Sequence, residues 1–195
     1  MSSNRIEQVR ATLAELGTGA LILTSPANRR WATGFTSAAG VPFSTDLAII
    51  TPSAVELLVA PIHVGWARGE SGVATDVRAH KGQFASSFAD YLSERGLTHI
   101  SLEADALPYP EALKIQDATP VVAIEFVTGL RDTWRASKDP DEIASLERAA
   151  RITDEVFIEM SGWIAPGMDE TSVARRISSQ LIERSDGLAF DVIVA

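Results

Sequence analysis

The sequence predicts an α/β fold with a mixed sheet, joined to a second unit that is helical and incomplete. Three observations carry this. Short apolar, β-branched runs alternate with amphipathic helical stretches as far as residue 126, the pattern of strands linked by helices. Two of those runs, 47–51 and 55–60, are separated only by Pro52-Ser53-Ala54, which makes them a hairpin and the sheet mixed. A change of composition at Leu130-Arg131-Asp132-Thr133-Trp134-Arg135 precedes a long, well-capped helix. The expected division is therefore a domain over 1–130, a linker over 131–138 and a second unit over 139–195.

In chain order, Ile6, Val9, Leu13 and Leu16 share one helical face, with Asn4 and Glu7 as a capping pair and Gly17 as terminator. Residues 20–24 form a short strand. Ser25-Pro26 offers an N-cap followed by proline at the first helical position, opening a brief helix that closes at Gly34. Residues 35–46 have neither helical nor strand period and read as a loop. After the hairpin, 61–70 is helical and 73–78 is a strand. Phe84, Phe88, Tyr91 and Leu92 stripe a helix that ends at Gly96. A strand over 100–103, a helix over 108–115 and a last strand over 121–126 complete the first domain.

The second unit opens on Asp139-Pro140-Asp141-Glu142, a capping box with proline at the first helical position. Ile143, Leu146, Ala150, Thr153, Phe157 and Met160 then form one face, flanked by Ala149, Ile152 and Val156, until Pro166-Gly167 breaks the helix. A second helix begins at Asp169 and turns Val173, Ile177 and Leu181 inward. Residues 188–195, apolar except for Asp191, read as a buried strand. A strand needs a partner for its backbone groups, so the expectation is the front part of a longer protein.

Composition narrows the function. Seventeen basic residues against 26 acidic ones give a net charge of −9, spread through both parts. Phosphate binding needs a concentrated basic face, so nucleic acid is not expected as a partner. With no cysteine, disulfide frameworks and Cys-type zinc sites are excluded, and a reducing compartment fits. The amino terminus has no apolar signal core and no stretch has the length of a membrane span. The expected location is cytoplasmic, away from membranes.

The common catalytic signatures (phosphate-binding loops, GxSxG, HExxH) do not occur. His63, His80 and His99 lie far apart in the chain without the companions of a metal site, and read as ordinary histidines. The acids of the long helix interleave with Arg148 and Arg151 and read as a solvated face. Asp191 reads as the solvent side of an edge strand, the alternative being a site acid that alone binds no metal. Spacing by itself shows two units and no active site.

Four motifs, in order, add what spacing does not. Arg135-Ala-Ser-Lys138-Asp-Pro-Asp-Glu142-Ile143, with Leu146, Ala149, Ala150, Ile152 and Thr153 behind it, resembles the RxxKxxxEI…A signature of the creatinase/prolidase family. Ile164-Ala-Pro166-Gly167-Met168-Asp169-Glu170 is similar to its IxPGMTE link, Phe190-Asp191-Val-Ile-Val-Ala195 to its FDxIVA strand, and Ser25-Pro-Ala-Asn28-Arg-Arg-Trp31-Ala32-Thr-Gly34-Phe35 to the SPxNxxYLTGF motif of its amino-terminal domain. The departures are small: Trp31-Ala32 stands for Tyr-Leu, and Asp169 for Thr, an equivalent cap.

The resemblance implies a creatinase-like amino-terminal domain, followed by the first two helices and first strand of a pita-bread catalytic domain. It implies a parent enzyme hydrolysing Xaa-Pro bonds of dipeptides or short peptides, working as a homodimer with two divalent metals, manganese, cobalt or zinc. Their ligands are expected after residue 195, leaving this segment without catalytic or metal residues of its own. A creatinase-like amidinohydrolase and a non-catalytic peptide- or protein-binding relative are the alternatives. The family's amino-terminal domain can approach a partner chain's cleft, and the positions most like those contacts are Phe35 and Phe43 in the loop 35–46, and His63 and Trp66 in the helix after the hairpin. A long loop without period suits binding, and a tryptophan offers a large face for a proline ring; a core position is the alternative for Trp66.

Overall fold

A hairpin laid beside a parallel run of strands organises the chain. The computed structural model describes residues 2–37, 43–74 and 76–195, which divide into two units, Met1–Ala136 and Ser137–Ala195. The first contains α1 (Ser2–Leu16), β1 (Ala20–Leu23), α2 (Pro26–Thr33), β2 (Leu47–Ile50), β3 (Val55–Val59), a 3-10 turn (Pro61–His63), α3 (Val64–Glu70), β4 (Asp76–Ala79), α4 (Phe84–Glu94), β5 (His99–Glu103), α5 (Tyr109–Ala118), β6 (Ala123–Val127) and α6 (Leu130–Trp134). The second contains α7 (Pro140–Trp163) and α8 (Glu170–Arg184).

The six strands lie in the order β4-β3-β2-β1-β5-β6. β2 runs antiparallel to both β1 and β3, while β1–β5, β5–β6 and β3–β4 are parallel, so the sheet is mixed. Strand alternation then sorts side chains to two faces. Leu21 and Leu23, Ala48 and Ile50, and Val55, Leu57 and Val59 pack with α1, α2, α3 and α6 on one side. Ala20 and Ile22, Leu47 and Ile49, and Leu58 pack with α4 and α5 on the other. The result is three layers, helix–sheet–helix, with the central strands β1, β2 and β3 buried on both faces.

Local chemistry explains the ends of the site-bearing elements. Ser25 caps α2, its hydroxyl accepting from Asn28 N–H at 3.4 Å with Pro26 in the first turn. Gly34 closes the helix at φ 83°, and a Cβ there would meet the Glu70 carbonyl at 3.2 Å, so glycine is required twice over. On β3, the buried Glu56 accepts from Tyr91 of α4 and from Arg95 just after it, which keeps the acid satisfied among apolar neighbours.

Several expectations change. α1 starts at Ser2, so Asn4 lies inside the helix rather than capping it. β4 occupies Asp76–Ala79, beginning three residues later than expected: Val73 and Ala74 pack against the core instead of joining the ladder. Residues 131–134, read as linker, are helical, and Leu130 and Trp134 are core. The Trp134 ring stacks on Trp31 at 5.7 Å and 6°, and its indole N–H donates to Thr12 Oγ1 at 3.1 Å. Arg5 lies over the other partner, Trp31, at 5.2 Å.

In the second unit the Asp139–Glu142 capping box is complete, with both reciprocal bonds made, and Asp169 caps α8 through Ser172 N–H at 2.9 Å. The α7–α8 seam buries Val156, Met160 and Val173, with Trp163, Ile177, Leu181 and Val194 against them. The expected inward face is only partly so: Ile143, Leu146 and Phe157 are exposed, because the contact with α8 runs through Val156 and Met160, on the later turns of α7 and on a face that leaves Phe157 outside. The expected strand at 188–195 does not form; the segment is unpaired, with Phe190 and Ile193 exposed, since no described strand offers it a ladder.

Trp134→Ala in the 195-residue chain tests the reassignment of residues 131–134. Losing a buried ring with its stack and its indole hydrogen bond is expected to cost about 3–5 kcal/mol, read as a lowered urea midpoint at unchanged slope. A midpoint within experimental error of the parent's would return the segment to the surface.

Candidate functional site

The site is assembled where α2, the two ends of the 35–46 connection and α3 converge. Gly34 reverses the chain after α2 and delivers Phe35, Thr36 and Ser37. Residues 38–42 of the expected loop lie outside the described residues. Residues 43–46 lead into β2, and the end of β3 passes through the 3-10 turn into α3, which brings His63, Trp66 and Glu70 to the same place.

Phe35, His63 and Trp66 form a mutual edge-on cluster: ring centroids are 5.9 Å apart for Phe35–Trp66, 5.8 Å for His63–Trp66 and 6.5 Å for Phe35–His63, all with steep interplanar angles. Trp66 is 45% exposed, which decides against the core alternative. Phe35 is fully buried and backs the other two rings. Phe43 is half-buried and is not one of the contacting rings. Ile62, which precedes His63 in the 3-10 turn, is exposed.

Polar groups hold these rings in place. Asp46, fully buried, accepts from Ala60 N–H through Oδ1 at 2.7 Å, and from both Ser37 Oγ–H and His63 Nδ1 through Oδ2, the latter at 2.7 Å. Burial would raise its pKa, but hydrogen bonds from Ser37, Ala60 and His63, with the Arg29 charge nearby, hold the carboxyl below the ordinary carboxylate range. Arg29, also fully buried, donates to the Asp46 carbonyl at 2.6 Å and to the Ser37 hydroxyl at 2.9 Å, and lies over the Phe35 ring at 5.2 Å. Desolvation pulls its pKa down to about 10, against the pull of Asp46 and Glu103, which leaves it a cation at neutral pH. Glu70 accepts from Thr36 N–H at 2.9 Å and Thr36 Oγ1 at 2.7 Å. Desolvation opposes its ionisation, yet hydrogen bonds from the Trp66 side chain and Thr36 hold it low.

The other histidines are elsewhere. His80 Nε2 meets Thr45 Oγ1 at 3.3 Å and its ring packs edge-on to Phe84. His99 pairs with Glu125 on the exposed β5–β6 ladder at 2.7 Å, a contact of small energetic weight. Asp191 is exposed, outside any strand. Among the described residues no group of three or more His, Asp or Glu could hold a metal ion, and none of the helices is long and apolar enough to cross a membrane. Reading the sequence did not single out Asp46, Ser37 or Glu70. The usable signal was Asp46, an acid directly preceding a wholly apolar strand.

This architecture has known counterparts. The family model described as the creatinase/prolidase N-terminal domain matches residues 5–137, and the chain belongs to that family. Among curated proteins it is 28% identical over 196 residues to "Uncharacterized peptidase YqhT" of Bacillus subtilis, covering 98% of this chain and 52% of the relative. It is 26% identical to a "Putative Xaa-Pro aminopeptidase" of Mycoplasma genitalium, covering 90% and 47%. Among solved structures, an Xaa-Pro dipeptidase from Bacillus anthracis superposes with a TM-score of 0.83 at 23% identity, covering 94% of this chain and 49% of that one; at that identity the likeness is one of fold. The chain spans about half the length of the curated relatives it matches.

The acid response of the fold follows from Asp46. A carboxyl whose pKa is lower in the fold than in the unfolded chain stabilises the fold above its ordinary value of 3.8, and that contribution is lost as pH falls through the lower folded-state value. Urea unfolding is therefore expected to show stability declining from about pH 5 downward, and Asp46→Asn, with no proton to take up, to be less stable near neutrality and to decline less steeply. A variant with the parent's slope would remove Asp46 from the acid response.

Proposed function

We propose that this chain is the amino-terminal half of a metal-dependent peptidase that hydrolyses Xaa-Pro bonds of dipeptides or short peptides. The observation that carries the reading is the family match over the first unit together with relatives whose similarity runs through nearly the whole chain, second unit included. One of these relatives is named a putative Xaa-Pro aminopeptidase, and proline-containing peptides are the substrates proposed here. Two divalent ions, manganese, cobalt or zinc, are proposed for the whole enzyme. The residues described here do not fit such a centre, since no three of the ligating types converge, so its ligands are assigned to the other half of the enzyme. A cytoplasmic homodimer completes the reading, with 1–130 as the amino-terminal domain and 139–195 as the start of the catalytic pita-bread domain.

In this proposal Trp66, His63 and Phe43 approach the substrate, backed by Phe35. The exposed Trp66 ring, propped edge-on by two neighbours, gives a rigid apolar face of the kind a pyrrolidine ring packs on.

Two measurements check the reading. The 195-residue protein, given Xaa-Pro dipeptides and longer Xaa-Pro peptides with manganese or cobalt, is expected to show no turnover above buffer; chelator-sensitive hydrolysis by it would place the chemistry in this half. In the whole enzyme, Trp66→Ala is expected to raise KM severalfold, on the order of 1–2 kcal/mol of lost contact, with an unchanged melting temperature. Unchanged kinetics in a stable variant would take Trp66 out of the substrate's path.

A further inference from the structure

The hydrogen bonds behind His63 have a direction that the donor chemistry fixes. A guanidinium only donates. Arg29 donates to Ser37 Oγ at 2.9 Å, so the Ser37 hydroxyl accepts on that side and turns its own proton to Asp46 Oδ2. The other carboxylate oxygen, Oδ1, is taken by the Ala60 backbone N–H. With donors aimed at both oxygens, Asp46 is an acceptor throughout, and the remaining contact at 2.7 Å, to His63 Nδ1, requires the ring to donate. Which nitrogen of a neutral imidazole carries the proton is set by the bond the other one makes.

We infer that Arg29, Ser37 and Asp46 form a one-way hydrogen-bond relay that positions His63 as the Nδ1–H tautomer, presenting Nε2 as a lone-pair acceptor beside the exposed face of Trp66. No described residue hydrogen-bonds Nε2. The group that seats there is an N–H or O–H donor, and on the reading of the site as a peptide-approach surface it belongs to the peptide substrate, next to the part that packs on Trp66. Asp46 is then a positioning residue. It touches no ligand, being fully buried, and it acts by fixing both the ring orientation, through Ala60 at the end of β3, and the ring tautomer.

The relay is tested without any peptide, so its failure is separate from a failure of the peptidase reading, which the Trp66→Ala kinetics decide. Long-range proton–nitrogen NMR on the 195-residue chain with labelled histidine, above the pH at which the ring is charged, reports which nitrogen bears the proton; His63→Gln assigns the signals by deleting them. The expected result is a protonated Nδ1 and an unprotonated Nε2. In Asp46→Asn the side-chain amide replaces an acceptor by a donor facing Nδ1, and the lone pair is expected to move to Nδ1, exchanging the two nitrogen resonances. An Nε2–H tautomer in the parent protein overturns the relay whether or not the variant folds. A folded Asp46→Asn protein with the parent's tautomer overturns the role of Asp46.

Discussion

A buried guanidinium is the constraint on which the functional end of the first unit depends. Arg29 has no exposure, and taking a cation out of water costs several kcal/mol unless polar groups and opposite charge replace the lost hydration. The replacements come from both ends of one connection: Ser37 on the departing side and the Asp46 carbonyl on the returning side. The Phe35 ring covers the cation from a third direction. A helix residue thereby pins the two ends of the chain that joins α2 to β2. The same pinning fixes Asp46, and Asp46 in turn fixes the turn that carries His63.

Arg29 is itself aimed by a second buried charge. Glu103, at the end of β5, accepts from the backbone N–H groups of Thr24 and Ser25 at 2.9 and 2.8 Å and from the Asn28 side chain. These are the donors at the opening of α2, where a helix has unsatisfied N–H groups and favours negative charge. Burial raises the Glu103 pKa while these same donors oppose the rise. β1 and β5 are parallel neighbours, so their ends lie side by side and the carboxylate meets the start of α2 without any detour of the chain. The helix starts on an anion at the end of β5 and, one residue beyond Asn28, turns a cation to Ser37 and the Asp46 carbonyl. Two charges of opposite sign thus tie the sheet to the site.

The parts of this fold legible in the sequence are those with chemical punctuation. The capped starts of α2, α7 and α8 and the glycine stops at Gly34 and Gly96 stand where caps and left-handed turns demand. The hairpin was legible because its strands are apolar but for Glu56 and its turn is short. What escaped is what only pairing or packing decides. β4 begins at Asp76 because its polar residues Asp76 and Arg78 bond one another at 2.6 Å along an edge, whereas the more apolar Val73 and Ala74 have a core to enter. Residues 188–195 have strand composition and no ladder, and composition does not supply one. Residues 131–134 looked like the start of a linker because they show no helical period, while the Trp31 ring that Trp134 stacks on stands far away in sequence.

The site divides the same way. His63 and Trp66 came into view through the family resemblance, His63 reading by spacing as an ordinary histidine, and their meeting with Phe35 follows from Gly34 and the 3-10 turn. The relay behind them has no motif, since Arg29, Ser37, Asp46 and His63 fall at unrelated spacings. Yet part of it is implicit in the hairpin. The observed register pairs Leu47 with Leu58, and in an antiparallel pair each step back on one strand is a step forward on the other. Asp46 therefore lies level with Val59, next to the Ala60 N–H it accepts and a short turn from His63. An acid directly before the first strand of a tight hairpin is thereby committed to whatever leaves the second strand. Here that is a histidine, and the buried arginine on the far side leaves the acid no role but acceptor.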